Sequence, residues 1–590
     1  MYSGIRNVQI LIALLKAYGI EDVVLSPGGS DIPLIHSLET DSDFKCYSVV
    51  DERSAAYYTM GIAQMKQKPV ACICTSGTAA CNYLPGITEA FYQNVPVLAI
   101  TADKNPYFQN QLETQKINQM GIFQGVVKYE VELPIVKNEE DAWLCNRLVN
   151  EALLELEHHG RGPVHINIPI LDQTEIYDCE CLPMERKINL VTSVELDEVW
   201  RQYAEELKNK KILIVVGQNL VFSEEDYKNL NEFFQRYDCV YAVEHLSNIQ
   251  CNGCVFTYPI TEILGPEALQ ELKPDLVISI GNNLAAYKLK PFLRRNYKTI
   301  KNWLIHETGQ VRDAYQCLTE IFECSFSYFF KRILETENYN ENIEHSYYDL
   351  WSTAQKSIVV PEFTFSNFYV AQELSKRIPE KSILHLAILN STRTMQFFNL
   401  NSNVQVYSNV GALGIDGCFS TFAGQAAVCD TLAYLLIGDL SFFYDMNAAS
   451  LRSIGKNVRI ILVNNGGGSE FHFFMGRKNI PTIDQYICAE HSHSAEGWIK
   501  SLGYEYYSAS TKEDVCSILD IFSKPSEKPL FLEIFTKMDE DAEKTNEFYD
   551  MYRQTKDKWD NSVKQIVKSI VPEKKIKKMK QIVNILKEKE

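Results

Sequence analysis

Short apolar runs separated by amphipathic stretches set the rhythm of this chain. DVVLS (22–26), VACICT (70–75) and VPVLAIT (95–101) carry apolar residues at successive positions, and helical periodicity fills the gaps between them. Strands apolar on both faces belong inside a parallel sheet, and their alternation with helices predicts helices on both sides of it. The pattern reaches VHINIPI (164–170) and is lost in CECLPMERKINL (179–190), a linker, so a first domain spans 1–180. It resumes at KILIVVGQNL (211–220), DLVISIGNNL (275–284) and KNWLIHE (301–307), which predicts a second domain over 190–340. Its strands end in Gly/Asn turns as in a doubly wound fold, but without GxGxxG spacing, so a structural domain is expected rather than a nucleotide site. A third domain, 355–545, has strands at VQVYSN, AYLLIGD, RIILVNN and LFLEIF. The fold class is therefore α/β, with three doubly wound parallel-sheet domains. The remaining tail, 546–590, is rich in lysine, with Trp559, Val563, Ile566, Val567 and Ile570 in helical register. Docked amphipathic helices are expected there, with a membrane-surface or partner-binding helix as the alternative.

Composition narrows the class. A length of 590 residues exceeds one ordinary core, and 46% hydrophobic with 23% charged residues is globular. A net charge of −18 argues against nucleic acid, whose phosphates need a clustered basic surface. Lys16 and Tyr18 interrupt the first apolar stretch, so it reads as an amphipathic helix and not a signal peptide. No apolar run approaches the ~20 residues of a membrane span. Sixteen irregularly spaced cysteines then predict reduced thiols in a cytoplasmic protein. Cys251-Asn-Gly-Cys254 is a lone CxxC, read as a turn with two ordinary thiols, a metal or redox site being the alternative. His491-Ser-His493 reads as a solvated loop before a ligand pair.

The sharpest chemistry lies in the third domain. The strand AYLLIG ends in Gly438-Asp439, and 26 positions later Asn465 ends the strand RIILVNN. Adjacent parallel strands would bring both side chains to the crevice beyond their carboxyl ends, where such sheets bind ligands. A carboxylate, an amide oxygen and a backbone carbonyl are hard ligands suited to Mg²⁺, whose shell is completed by phosphates and water. Gly466-Gly467-Gly468 allows the backbone to approach such an ion.

This spacing resembles the GD…NN motif of thiamine-diphosphate enzymes. The resemblance implies that Asp439, Asn465 and the Gly467 carbonyl hold Mg²⁺ (or Mn²⁺), and that Thr75, Gly77, Ile415, Gly438, Leu440, Ser441 and Gly467 border thiamine diphosphate. It also requires a glutamate in the first domain, which VVDERSAAYYTMGIAQ supplies as Glu52. A buried carboxylate against the aminopyrimidine favours the imino tautomer that removes the thiazolium C2 proton. On its own, Asp51-Glu52 would read as an ordinary helix start. In these enzymes the glutamate and the metal motif come from different subunits, which implies a homodimer or a dimer of dimers. Ile415 matches the aliphatic residue that props the cofactor into its bent form.

LSPGGSDIPL, DERSAAYYTMGIAQ, CTSGTAACNYLPGITEA, SNVGALGIDGCFSTFAGQA and GDLSFFYDMNAASL resemble one branch, the menaquinone-pathway SEPHCHC (2-succinyl-5-enolpyruvyl-6-hydroxy-3-cyclohexene-1-carboxylate) synthases, to about residue 540. That branch decarboxylates 2-oxoglutarate and adds the succinyl unit to isochorismate, gripping both polycarboxylates with arginines. Here Ser30, Lys104-Asn105, Met395 and Val410 interrupt the expected cationic pattern, while Gln115, Asn390 and Ser391 match and Arg393 lies close to Met395. Glu470 stands where the branch has an aliphatic residue, and with His472 it is a candidate acid/base; the alternative is a surface glutamate on a first helical turn. The expected activity is decarboxylation of a 2-oxoacid with acyl transfer to an acceptor, using a donor and acceptor other than the branch's own. Pyruvate is one such donor. The alternatives are an authentic SEPHCHC synthase, a simple 2-oxoacid decarboxylase and a non-catalytic scaffold.

Overall fold

Continuous apolar runs become buried strands throughout this computed structural model, which describes residues 1–171, 177–185, 187, 197–309, 312–336, 343–474 and 480–554. The first sheet holds β1 (Asp22–Ser26), β2 (Lys45–Ser48), β3 (Val70–Cys74), β4 (Val97–Asp103), β5 (Tyr129–Glu132) and β6 (Val164–Pro169), in the order β2-β1-β3-β4-β6-β5. A second holds β7 (Ile212–Val216), β8 (Cys239–Val243), β9 (Cys254–Phe256), β10 (Leu276–Ile280), β11 (Lys301–Ile305) and β12 (Leu318–Phe322), ordered β12-β11-β10-β7-β8-β9. The third comprises β13 (Ile383–Leu386), β14 (Gln405–Tyr407), β15 (Ala433–Gly438), β16 (Val458–Asn464), β17 (Glu505–Ala509) and β18 (Leu530–Phe535), ordered β14-β13-β15-β16-β18-β17. Pairing is parallel in all three, as the unbroken apolar runs predict.

The first and third sheets share one connectivity. Strand order reverses between β1 and β3 in one, and between β13 and β15 in the other. Loops leaving the carboxyl ends on either side of a reversal diverge and open a crevice. Every residue singled out for cofactor chemistry follows or flanks strands of these two sheets.

Among the described residues, those of Met1–Val194 with Phe363–Asp541 form one compact unit, and those of Glu195–Glu362 with the described part of the chain from Ala542 form another. Within the first unit, helix Glu52–Lys66 crosses helix Cys418–Ala427 at two glycines. A Cβ on Gly61 would sit 2.1 Å from the Thr421 carbonyl oxygen, and one on Gly424 would sit 2.1 Å from that of Tyr58. Backbone contact this close leaves room for glycine alone. A buried amide relay spans the same crossing, from Gln425 to Gln64 (2.8 Å) and from Gln64 to Gln93 (2.8 Å). Its members satisfy one another, as burial of polar groups requires.

The second unit buries an aromatic cluster that includes Trp303, Phe322 and Phe329 around its sheet. Cys251 and Cys254 face each other across a turn with sulfurs 3.5 Å apart. All sixteen cysteines are free thiols. Helix Met538–Gln554 ends the described chain, so the apolar register expected from Trp559 onward lies outside the described residues. Among the described residues no helix is long and apolar enough to cross a membrane.

Candidate active site

Asp439 and Asn465 converge because of strand register. β15 pairs with β16 so that Gly438 lies opposite Val463, which sets Asp439 beside the turn that begins at Asn465. Asp439 Oδ2 accepts the backbone N–H groups of Asn465 (3.1 Å), Gly466 (2.7 Å) and Gly467 (3.0 Å), and Oδ1 accepts that of Leu440 (2.7 Å). Burial pushes the Asp439 carboxyl above its ordinary range, against the pull of these N–H groups and of His491. Asn465 donates its amide hydrogens to Ser469 Oγ (3.1 Å) and to the carboxylate of Asp541 (3.0 Å). That fixes the amide and leaves Asn465 Oδ1 buried without a partner. A buried acceptor with no donor is costly, and a cation satisfies it.

Two further observations fit a metal-bound diphosphate here. A Cβ on Gly438 would meet nothing within 4 Å, so there is open space beside the ligand turn. Gly467 has φ of +151°, and a Cβ there would lie 2.8 Å from the Cys488 carbonyl oxygen, so this turn needs glycine. The Gly467 carbonyl accepts from Ser469 N–H at 3.1 Å and retains a second lone pair. Ser441 Oγ donates to the Ile415 carbonyl (2.6 Å), tying the Asp439 helix to the loop that carries Ile415. That loop is clamped from the first sheet's side, where the buried Glu89 accepts from Gly411 N–H (3.0 Å) and Ala412 N–H (2.7 Å). Ile415 itself remains substantially exposed.

The His491-Ser-His493 expectation needs correction. His493 is exposed, but the His491 side chain is only 7% exposed, with Nε2 3.4 Å from Asp439 Oδ2. The backbone bond from His491 N–H to the Gly466 carbonyl (2.9 Å) folds this loop over the metal-motif turn. Asp541 was not picked out from the sequence, because it reaches the site from a distant segment.

On the first sheet, Ser30, Thr75 and Gly77 flank the β1/β3 reversal. Ser30 N–H donates to Thr75 Oγ1 (3.1 Å), and the Ser30 hydroxyl pairs with that of Ser76 (3.0 Å). Gly77 has φ of +87° and packs against Gln115. Lys104 is turned to its own loop, donating to Glu113 (3.2 Å) and to the Thr114 carbonyl (2.5 Å). Glu52 opens its helix while Asp51 caps it by accepting from Ser54 N–H (2.9 Å). The Glu52 carboxylate accepts from Asn82 at 3.2 Å. Among the described residues no hydrogen bond or ion pair joins it to Asp439 or Asn465 within one chain.

Asp31, beside Ser30, was overlooked. It is fully buried, with Oδ1 accepting from Gly28 N–H (2.9 Å) and Oδ2 without a partner. Burial, with a smaller push from the charge of Glu52, raises its carboxyl to about 7. A carboxyl raised in the folded state favours folding most when both states are protonated, and that advantage is lost as pH climbs through the folded value. The Asp31→Asn chain should therefore melt level with wild type near pH 4, and increasingly above it up to about pH 7, with a constant gap beyond. Thermal melts across that range check this, and a gap independent of pH contradicts it.

At the β13 side, Asn390, Ser391 and Arg393 lie on helix Asn390–Met395. Arg393 grips Glu470 with both terminal nitrogens, at 2.5 and 3.2 Å, and also donates to Asn390 Oδ1 (3.0 Å). Asn390 in turn donates to Ser469 Oγ (3.0 Å), the atom that accepts from Asn465. One continuous network thus runs from the metal motif to Arg393 and Glu470. With its side chain 18% exposed and paired to a buried guanidinium, Glu470 is not a surface residue on a free helical turn. His472 points elsewhere: Nε2 meets Asp484 (2.6 Å) and Nδ1 meets Asp539 (2.8 Å). Both its nitrogens are taken up by carboxylates other than Glu470. Val410 and Met395 are buried in the protein interior.

Comparison with known proteins addresses the family and the fold. Residues 5–122 match the family described as thiamine pyrophosphate enzyme, N-terminal TPP binding domain. The chain is 38% identical to a 2-succinyl-5-enolpyruvyl-6-hydroxy-3-cyclohexene-1-carboxylate synthase of Bacteroides thetaiotaomicron, over 94% of this chain and 100% of that protein. Synthases of the same name from Phocaeicola vulgatus and Flavobacterium johnsoniae are 36% and 30% identical, over 93% and 91% of this chain and 99% and 97% of theirs. The fold superposes on benzoylformate decarboxylase from Polynucleobacter necessarius with a TM-score of 0.69, at 15% identity, covering 91% of this chain and 99% of that one.

Proposed function

The chain belongs to the SEPHCHC synthase family of thiamine-diphosphate enzymes, and from that premise we propose that it decarboxylates a 2-oxoacid and transfers the acyl unit to an acceptor, with a donor and acceptor other than 2-oxoglutarate and isochorismate. The cofactor is thiamine diphosphate with a divalent metal, and the chain is a 2-oxoacid enzyme. When bound, the cofactor supplies a nucleophilic carbon that accepts the 2-oxoacid carbonyl and an electron sink as CO₂ leaves.

The chain's own residues take the following parts. Asp439, Asn465 Oδ1 and the Gly467 carbonyl would hold the metal, with Asp541 and Ser469 fixing the Asn465 amide. Gly438, Leu440 and Ser441 would border the diphosphate, and Ile415, set by Glu89 and Ser441, would support the bent cofactor. Glu52 would hold the proton on the pyrimidine nitrogen, beside Thr75 and Gly77. In this reading Glu52 of one chain serves the Asp439 pocket of its partner, in a homodimer or a dimer of dimers. His472, held between Asp484 and Asp539, would anchor its loop.

One observation supports the changed substrates above the others. Arg393 already holds an internal carboxylate, and Ser30, Lys104, Met395 and Val410 present no unbound guanidinium in its place. Losing a charge partner for a desolvated carboxylate costs about 2–5 kcal/mol, or roughly 30- to 4,000-fold. Wild-type holoenzyme supplied with 2-oxoglutarate and isochorismate should therefore turn over at least about 30-fold more slowly than with a preferred monocarboxylic 2-oxoacid. Steady-state assay over a panel of 2-oxoacids checks this. A second reading, an authentic SEPHCHC synthase with rearranged cations, is favoured by the full-length identity to the Bacteroides enzyme. Rapid formation of that product from that pair would establish it and contradict the first.

A further inference from the structure

Arg393 is a buried cation that the protein has already neutralised. Its side chain is only 4% exposed, and Glu470 meets it in the two-pronged geometry that guanidinium and carboxylate favour. The pair is not remote from the chemistry. Asn465, the metal-motif amide, and Asn390 both donate to Ser469 Oγ, and Asn390 Oδ1 accepts from Arg393. Glu470 follows Ser469 directly in the chain. The Arg393–Glu470 pair is thus joined to Asn465 through Ser469 and Asn390, and a fixed carboxylate already occupies its guanidinium.

We infer that Glu470 is a specificity-determining residue: by occupying Arg393 it excludes donors that carry a second carboxylate and admits 2-oxoacids with an uncharged side chain. The inference rests on the thiamine-diphosphate reading above and deepens it by naming the donor class. A distal carboxylate at this place would have to displace Glu470 from Arg393, or sit against a like charge in a desolvated site. Either is unfavourable. An uncharged donor such as pyruvate or a longer aliphatic 2-oxoacid leaves the pair undisturbed. Glu470 thereby acts on the substrate by charge.

Removing the charge of Glu470 should release Arg393 for a substrate carboxylate. Glu470→Gln keeps the size and one acceptor oxygen, so the guanidinium retains a partner and the fold is preserved. Its ratio of kcat/KM for 2-oxoglutarate to kcat/KM for pyruvate should rise about tenfold or more over wild type. The gain should vanish when Arg393→Met is added to Glu470→Gln. Inhibition by succinylphosphonate against acetylphosphonate gives the same ratio without turnover, since the C–P bond resists the decarboxylation step. That readout decides the matter even for a variant that no longer turns over. A ratio unchanged in Glu470→Gln, in a holoenzyme with wild-type thermal midpoint and cofactor affinity, overturns the inference. So does a gain that survives Arg393→Met. Wild-type enzyme that uses 2-oxoglutarate as readily as pyruvate contradicts instead the functional reading itself, before any variant is made.

Discussion

Glu52→Gln is expected to lower kcat by about 10²- to 10⁴-fold while Mg²⁺-thiamine diphosphate still binds close to wild-type affinity. The reasoning starts from the helix. Asp51, not Glu52, caps helix Glu52–Lys66, so the amide removes no capping bond. A glutamine also still accepts from Asn82, the present partner of the carboxylate. On the proposed reading, what is lost is the group that would hold a proton against the pyrimidine nitrogen, and with it the activation of the thiazolium C2 position. Exchange of the C2 proton for deuterium, quenched in acid and read by NMR, should slow in step with kcat. Wild-type exchange in the variant would remove Glu52 from the mechanism. A mixture with Asp439→Ala chains extends the test to the assembly. If the site is shared, half of randomly paired dimers hold one intact site of two, and activity returns to about a quarter of wild type. No recovery after verified exchange of chains would place each site within one chain.

Asp439→Ala is expected to weaken Mg²⁺-thiamine diphosphate binding by about 100-fold or more, since first ligands outweigh the 10- to 100-fold typical of their supporting partners. The loss has two parts. A hard anionic ligand disappears, and the N–H groups of Asn465, Gly466 and Gly467 lose their common acceptor. The second part threatens the turn itself, at about 1–3 kcal/mol for each buried group left unpaired. Asp439→Asn separates the two, because its amide oxygen still accepts from the turn while the charge is gone. Calorimetric titration should find the asparagine variant folded like wild type yet still deficient in metal-dependent binding. Wild-type affinity in that variant would show that Asp439 shapes the turn without holding the ion.

Much of this was legible along the chain, for physical reasons that differ by feature. AYLLIG and RIILVNN are unbroken apolar runs because both faces of their strands are buried, and that same burial makes them recognisable. The Gly438-Asp439 and Asn464-Asn465 pairs mark where these strands end, so the approach of Asp439 to the turn at Asn465 follows from strand position. The Glu470–Arg393 ion pair links residues 77 positions apart, and its existence depends on how helix Asn390–Met395 and the turn after Asn465 meet. Nothing in local sequence encodes that meeting. His491 looked like a solvated loop because Ser492 and His493 beside it are polar and exposed, yet the loop folds back and buries one ring against Asp439. Asp541 is hidden for the same reason: it begins a charged, lysine-bearing helix, and only the tertiary fold turns it onto Asn465. Asp31 was overlooked beside the departure at Ser30, because a carboxyl with no partner for Oδ2 is a statement about burial, which spacing does not carry. Residues that act through long-range packing are thus the ones sequence reasoning lost.

The central claim is that the crevice at Asp439 and Asn465 is where the metal and the diphosphate are held. A crystal structure of the holoenzyme grown with Mg²⁺ and thiamine diphosphate reaches it most directly. The account predicts a single metal per chain bound by Asp439, by the orphaned Oδ1 of Asn465 and by the Gly467 carbonyl, with the diphosphate in the space beside Gly438. A metal ringed by other side chains, or a cofactor seated away from Gly438 with Asn465 Oδ1 still unpartnered, would contradict it.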